Sequence, residues 1–243
     1  MTALDRVAGV ERPSHLWLRA AAMLFALVLG VQCVWLLLAE LIRPGIKELP
    51  ADVASAAAAA KQRTPAYWAA FVGAFRGDLW AEYAFTHADL LWAENRASVT
   101  ADRAGSLQLA RSSLDRALDD GPHQSSAWLL LAGLASRFPA AEFDAAEPLK
   151  MSYYTGPSER RAVALRLRIA VSSDKFNDAE LRDLVSRDVR QLLGWKQKSA
   201  IAEAYDVASP AGKSFIERTL RDLDPSAFDS LRAGATRNRS LPD

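Results

Sequence analysis

The stretch from Ala110 to Ala132 gathers the residue types that acid–base or nucleophilic chemistry uses. Asp115, Asp119 and His123 lie in it beside a pair of serines. Paired carboxylates, or a serine activated by an imidazole, would carry out such chemistry. On a helix, however, Asp115 and Asp119 lie four residues apart and next to Arg111, which predicts ordinary charge pairing on a solvated face. The stretch therefore gives no positive support to catalysis.

His87 is the one histidine of three that lies in a strongly apolar, helix-like segment, close to Trp80 and Tyr83. It could act as a base or a ligand, but packing in a hydrophobic interior is the favoured interpretation. The three histidines share no metal-ligand spacing, and neither a G-x-S-x-G motif nor a phosphate-binding glycine loop occurs. We therefore predict that the chain is not an enzyme and has no cofactor or metal site.

Tyr153 and Tyr154 form the most unusual local pattern, because they stand together just before Gly156-Pro157. Two exposed aromatic rings at a corner could grip a glycan or a peptide. The favoured alternative is that one tyrosine packs beneath the corner and the other remains at the surface.

Arg160 and Arg161 begin a basic segment that continues through Arg166 and Arg168. A solvated helix face is favoured over a cradle for an anionic ligand, because acidic residues are interspersed. The candidate partner-binding residues are Tyr153, Tyr154, Arg160 and Arg161.

The elements that would hold these residues begin with an apolar segment. Ala20 to Ala39 contains no charge, and Trp17 and Trp35 lie toward its two ends. A run of this length can cross the roughly 30 Å hydrocarbon core as a helix, and indole rings favour the lipid interface. The sequence predicts a leader over 1–19 and a transmembrane helix over 20–42.

A cleaved signal peptide is the alternative, because Ala54-Ser55-Ala56 resembles a cleavage site. The apolar run is longer than a signal peptide needs and ends too far before that site, so an uncleaved anchor is favoured.

Charges around the span set the expected orientation. Arg6, Arg12 and Arg19 precede it, whereas Arg43 and Lys47 follow it closely. The slight positive-inside bias predicts a cytoplasmic N-terminus. Arginine far outnumbers lysine and alanine is abundant, which indicates a GC-rich bacterial genome. We expect a single-pass protein of a bacterial inner membrane, with its C-terminal body in the periplasm.

Composition narrows the classes of protein to which the chain could belong. The 30 basic and 29 acidic residues leave a net charge of +1, which gives no field that would favour nucleic acid. Cys33 is the only cysteine, so there is no disulfide framework. Beyond the span we predict a linker or spacer over 43–64, an all-α domain over 65–233 with helical periodicity throughout, and a flexible tail over 234–243.

Two segments of the predicted domain share one spacing at an offset of 35 residues. The first carries Ala110, Leu114, Ala117 and Pro122, and the second carries Ala145, Leu149, Ser152 and Pro157. The helices that pair with them carry Trp80, Tyr83 and Ala84, and Trp128, Leu131 and Ala132. This pattern resembles the tetratricopeptide repeat, a helix-turn-helix unit of about 34 residues.

The resemblance is specific over about residues 78–157 and depends on helix layout alone beyond them. The first unit is longer than a standard repeat, so either its helices are extended or an insertion lies around Asn95–Thr100. Two further helix pairs are expected, closing at Gly194 and Pro225, with helix starts capped by Ser158 and by Asn177-Asp178. The fold class predicted is a tetratricopeptide-like α-solenoid of about four helix pairs behind one transmembrane helix.

Such arrays usually bind segments of other proteins in a groove formed by the first helix of each pair. The resemblance implies a membrane-anchored, periplasm-facing scaffold that binds protein partners in cell-envelope assembly. The layout is also similar to that of membrane-anchored proteins of polysaccharide-assembly systems. One alternative is therefore an accessory protein that binds or handles polysaccharide, and another is a hydrolase or transferase of helical fold.

Overall fold

The computed structural model describes residues 14–46, 48–92, 101–138, 145–173, 178–229 and 231. Its helices are α1 (Ser14–Ile42), α2 (Val53–Ala60), α3 (Arg63–Val72), α4 (Gly77–Phe85), a 3-10 helix (Ala88–Leu91), α5 (Ala101–Asp120), α6 (Ser125–Arg137), α7 (Ala146–Thr155), α8 (Arg160–Ser172), α9 (Ala179–Gly194), α10 (Lys198–Val207) and α11 (Pro210–Leu223). The start of the predicted leader, the alternative insertion around Asn95–Thr100 and the predicted tail lie outside the described residues.

The described part of the chain contains helices, turns and loops but no strand, which confirms the prediction of an all-helical protein. Neighbouring helices from α4 to α11 pack against one another in chain order. The bounds of α8 to α11 lie within about two residues of the two helix pairs predicted there, an ordinary uncertainty for helix ends.

The first helix has the length and composition that the sequence predicts. Its apolar part runs from Trp17 to Ile42, and at about 1.5 Å per residue it is about 40 Å long. Side chains from 17 to 38 are exposed around the whole helix. The helix is therefore long and apolar enough to cross a membrane.

The linker does not form the detached spacer expected over 43–64. Ala56 and Ala59 of α2 are buried, and α3 begins within the linker range and packs against both α1 and α4. Arg43 donates a 2.7 Å hydrogen bond from Nε to Glu82 of α4. The alanine run has an inward face because it covers the body, a long-range contact that local composition does not reveal.

Helix starts are capped only partly as predicted. Asp178 accepts a 3.0 Å hydrogen bond from the backbone N–H of Leu181, which confirms it as the N-cap of α9. The expected cap at Ser158 is wrong, because Glu159 is the N-cap of α8 and makes no capping bond. Its carboxylate instead accepts hydrogen bonds from Ser125 and Ser126.

α9 ends at Gly194, where the sequence predicts the closure. Gly194 is the last helical residue, and Lys196 adopts the left-handed conformation with φ of 59°. The backbone N–H groups of Lys196 and Gln197 donate to the carbonyls of Leu193 and Leu192, which is the Schellman pattern. A lysine thus occupies the position where glycine is commonest.

The interior consists of two hydrophobic clusters that meet at α6. One cluster includes the end of α1, α3, α4 and α5, and the other includes α7 to α11. Leu130 and Leu131 of α6 belong to the first, whereas Leu129 and Ala132 belong to the second. Leu49 of the linker packs against both. The linker and α6 therefore join the two halves of the body.

Candidate functional site

A non-helical segment after α1 reaches from α4 to α8. We call residues 43–46 and 48–51 the strap. Arg43 at its start pairs with Glu82 of α4, and Glu48 pairs with Arg161 of α8. Leu49, the residue after Glu48, packs against both hydrophobic clusters. The strap is therefore held by one ion pair at its start and, farther along, by a second ion pair and an apolar side chain.

A groove of about 750 Å³ lies between the strap and the start of α8. We call it the strap groove. Its lining on the strap side comes from the strap and α2, and on the body side from Arg160, Arg161, Ala164 and Gln197. Arg160 lies over the ring of Trp195 at 4.8 Å, a cation–π contact that holds its side chain against the body. The groove thus has an apolar floor with two arginines at its edge.

The four candidate partner-binding residues do not form one site. Arg160 and Arg161 line the strap groove, whereas Tyr153 and Tyr154 do not. Tyr154 is 54% exposed and its hydroxyl donates to Glu180 of α9. Tyr153 is only 4% exposed, so the prediction that it binds a partner is wrong. The alternative, in which one tyrosine packs and the other stays at the surface, is confirmed.

Tyr153 belongs to a buried polar cluster with Arg166 and Asp188. Its hydroxyl donates a 2.8 Å hydrogen bond to Asp188, and Arg166 Nε lies 3.3 Å from the same carboxylate. Arg166 also lies over the Tyr153 ring at 4.5 Å and donates a 2.7 Å hydrogen bond to the carbonyl of Gly156. Because Arg166 is fully buried, the solvated-face interpretation is wrong for this residue. The cluster ties α7, α8 and α9 together.

Burial determines how the groups of this cluster titrate. It raises the pKa of Asp188 from 3.8 to about 6, against the opposing effects of Arg166 and the Tyr153 hydrogen bond. It also raises the pKa of Tyr153 well above its ordinary value. Because these groups are buried away from solvent, we interpret their pKa shifts as those of a structural cluster and not of a reactive site.

A second, more polar pocket of about 360 Å³ lies between α4 and the corner before α6. Its polar lining includes Arg43, Asp78, Glu82, His123, Ser125, Ser126 and Glu159. Ser126 donates a 2.9 Å hydrogen bond to Glu159, and Ser125 donates to the same carboxylate. These bonds join the start of α6 to the corner before α8.

His87 lies inside the body, as the packing interpretation predicts. It is 2% exposed, and its ring meets the Tyr83 ring edge-to-face at 5.4 Å. Neither ring nitrogen has a hydrogen-bond partner among the described residues. Burial, with a smaller effect of Arg63, lowers the pKa of His87 from 6.5 to about 4. The imidazole is therefore neutral at pH 7 and fills space.

The stretch around Asp115 and His123 is a corner between α5 and α6. Asp115, Asp119 and His123 are exposed. Ser113 is buried and donates a 2.7 Å hydrogen bond to the carbonyl of Leu109 in its own helix. Over the described ranges, no three His, Cys, Asp or Glu side chains are grouped so that they could hold a metal ion.

The sequence pattern did not predict the Arg43–Glu82 ion pair, which is one of the contacts that attach the end of α1 to the body. Glu82 is buried in α4 and pairs with Arg43, which also lies 3.2 Å from Asp78. A single acidic residue within the apolar segment of Trp80 to Phe85 was the available signal. A lone buried carboxylate requires a partner, and the first cation after the span provides it.

The chain matches no family model, no curated protein and no solved structure. The class defined by its geometry is an all-helical protein with one N-terminal helix long and apolar enough to cross a membrane.

Proposed function

We propose that the chain is a single-span scaffold of a bacterial inner membrane, with a tetratricopeptide-like body that faces the periplasm and binds an extended segment of a partner protein during envelope assembly. The observation that carries this proposal is the strap. The strap already lies on the body between α4 and α8, held by Leu49 and by the Arg43–Glu82 and Glu48–Arg161 pairs. A surface that holds one non-helical segment of chain in this way is suited to holding another beside it.

Two tryptophans support the repeat interpretation. Trp80 Nε1 donates a 3.1 Å hydrogen bond to the carbonyl of Ala74, and Trp128 Nε1 donates a 2.8 Å bond to the carbonyl of Pro122. In both cases the acceptor lies six residues before the tryptophan. The small residues of the proposed motif at these helices, Ala84 and Ala132, are fully buried. The two helices thus share a local geometry as well as a sequence pattern.

The partner segment is placed in the strap groove. Its apolar floor would take an aliphatic or aromatic side chain, and Arg160 and Arg161 would attract carboxylates at the groove edge. The partner chemistry that fits is an extended peptide with one apolar anchor and flanking acidic residues.

The orientation is tested with a reporter that is active only outside the cytoplasm, fused after Asp243. Activity is expected, because the charge bias favours a cytoplasmic N-terminus. An inactive fusion that is nonetheless full length and membrane-bound would place the body in the cytoplasm and overturn this part of the proposal.

Binding is tested by crosslinking in intact membranes. One or a few defined proteins should be recovered with the full chain, and Arg160→Glu should reduce their recovery because it reverses a charge at the groove edge and leaves the Glu48–Arg161 pair of the strap in place. Arg187→Glu is the matched control, since Arg187 is an exposed arginine on α9 outside the groove. Equal recovery with both variants would exclude the strap groove as the binding site.

The polysaccharide alternative depended on Tyr153, Tyr154 and aromatic residues of the groove. Of the two tyrosines only Tyr154 is exposed, and neither lines the strap groove. No described feature favours this alternative, or a helical hydrolase or transferase, over the scaffold.

A further inference from the structure

One face of α3 and the turn after it present large aromatic side chains to the outside. We call Tyr67, Trp68, Phe71 and Phe75 the aromatic face. The opposite face of α3 is buried and consists of small residues, mainly alanines. Beyond α1, the described chain has nine exposed large apolar side chains, and four of them belong to the aromatic face. The helix therefore turns its small residues inward and its large ones outward, the reverse of a water-exposed surface helix.

The rings of Tyr67, Trp68 and Phe71 form one continuous surface. Tyr67 and Trp68 have ring centroids 5.6 Å apart, and Trp68 and Phe71 have centroids 5.8 Å apart. Phe75 lies in the turn after α3 and is 93% exposed. Contiguous apolar surface of this kind marks an interaction site.

Two contacts fix the position of this surface along α1. A methyl group placed on Gly73 would lie 3.5 Å from Cβ of Ala39, the last residue of the charge-free run. Arg76 Nη1 donates a 2.9 Å hydrogen bond to Glu40. Phe75 lies between Gly73 and Arg76, so it stands level with the end of the apolar part of α1.

The charged residues at this level are paired with one another. Arg76 contacts both Glu40 and Asp78, and Arg43 contacts Glu40, Asp78 and Glu82. The boundary of the span is therefore lined by a closed network of ion pairs, which suits the polar headgroup region.

The residue types fit the same environment. Trp and Tyr are enriched at the membrane–water interface, where the ring is buried and the polar atom remains hydrated. The phenylalanines at 71 and 75 are wholly apolar and gain from removal from water.

We propose that the aromatic face lies in the interfacial layer of the membrane that α1 crosses, as a second lipid contact of the same chain. This inference rests on the proposed membrane anchor. The occupant is lipid, because the aromatic face adjoins the apolar surface of α1 at the depth where that surface ends. With two contacts, the body has a fixed tilt relative to the membrane.

The test uses the full chain with Cys33→Ala and one introduced cysteine, labelled with an environment-sensitive fluorophore. The chain is reconstituted into phosphatidylcholine and phosphatidylglycerol vesicles that contain lipids with a nitroxide near the headgroup or in the acyl chain. Phe75→Cys and Phe71→Cys report on the aromatic face. Val28→Cys lies in the span, and Leu109→Cys is a matched exposed apolar site on α5.

The labels at positions 71 and 75 should lose fluorescence with the shallow nitroxide, and the label at 28 with the deep one. The label at 109 should be quenched by neither. Quenching at 28 without quenching at 71 and 75 would overturn the proposal and leave the anchor intact. No quenching at 28 would overturn the anchor and the inference together. Labels at 71 and 75 that are protected from aqueous iodide but not quenched by lipid would identify a protein occupant and overturn the proposal. Disulfide crosslinking between two chains at position 75 would identify that occupant as a second copy.

Discussion

Tyr153 and Asp188 meet through a 2.8 Å hydrogen bond in which the phenol donates to the carboxylate, although 35 residues separate them in the chain. The bond joins α7 to α9, and Arg166 of α8 completes the contact at 3.3 Å. Tyr153, which the sequence offers as a candidate surface contact, therefore stabilises the interior instead.

Replacement of Tyr153 should destabilise the body. Tyr153→Phe removes one hydrogen bond from a buried carboxylate, so the free energy of unfolding should fall by about 1–3 kcal/mol. Tyr154→Phe, at the exposed neighbour, should change it by less than about 0.5 kcal/mol. Urea unfolding of the full chain in mild detergent, followed by tryptophan fluorescence, measures both. Equal losses for the two variants would contradict the assigned burial.

His87 should make the protein sensitive to acid. Because its pKa is lowered to about 4 in the fold, the unfolded chain takes up a proton between about pH 6.5 and 4 that the folded chain refuses. Stability from this group is therefore complete above about pH 6.5 and is lost as the pH falls. Relative to His87→Phe, the wild type should lose on the order of 3 kcal/mol across that range.

The matched control for this substitution is His123→Phe, at an exposed corner. It should change the free energy of unfolding at pH 7 by less than about 0.5 kcal/mol. A pH profile of His87→Phe parallel to that of the wild type would show that the imidazole is not shielded from protonation.

The Arg43–Glu82 pair should behave as a buried ion pair. Arg43→Ala leaves Glu82 buried without its cation, and the cost should be about 3–5 kcal/mol. The double variant Arg43→Met, Glu82→Met should recover most of this loss, because two apolar side chains of similar volume need no pairing. Thermal unfolding in detergent checks the recovery. Additive losses in the double variant would mean that the two residues do not interact.

Replacement by alanine should destabilise the protein at one glycine and stabilise it at another. A Cβ on Gly212 would lie 2.2 Å from the carbonyl oxygen of Val171, whereas a Cβ on Gly105 would meet nothing within 4 Å. Gly212→Ala should therefore cost at least about 1–3 kcal/mol through overpacking. Gly105→Ala, within α5, should stabilise by about 0.5–1 kcal/mol. Stabilisation by Gly212→Ala would refute the close approach of α11 to the end of α8.

Local sequence pattern was sufficient for most of the helices, because each depends on residues within one or two turns. Asp178 marks a helix start that the structure keeps. Whether a residue faces the interior or the solvent was harder to predict, because this depends on contacts between helices that are distant in the chain. Tyr153 and Tyr154 are neighbours of the same type, and only packing against α9 separates their environments.

The burial of charged residues was also predicted wrongly, and for the same reason. Arg166 stands in a run that alternates with leucine, and pattern alone gives it a solvated face. Asp188, which holds it inside, lies 22 residues later. The strap was also beyond prediction, because its attachment depends on Glu82 and Arg161 rather than on its own composition.

The attachment of the strap determines how far the body can reach. If residues 43–64 were a flexible linker, the body could move over a distance of about 25 Å from the end of α1. The Arg43–Glu82 pair, Leu49 and the burial of α2 remove that freedom from the first residue after α1. In a chain anchored by α1, the body therefore stays at one height above the bilayer and moves only as the helix drifts and rotates in the plane. In the proposed scaffold, the partner presents the bound segment at that height.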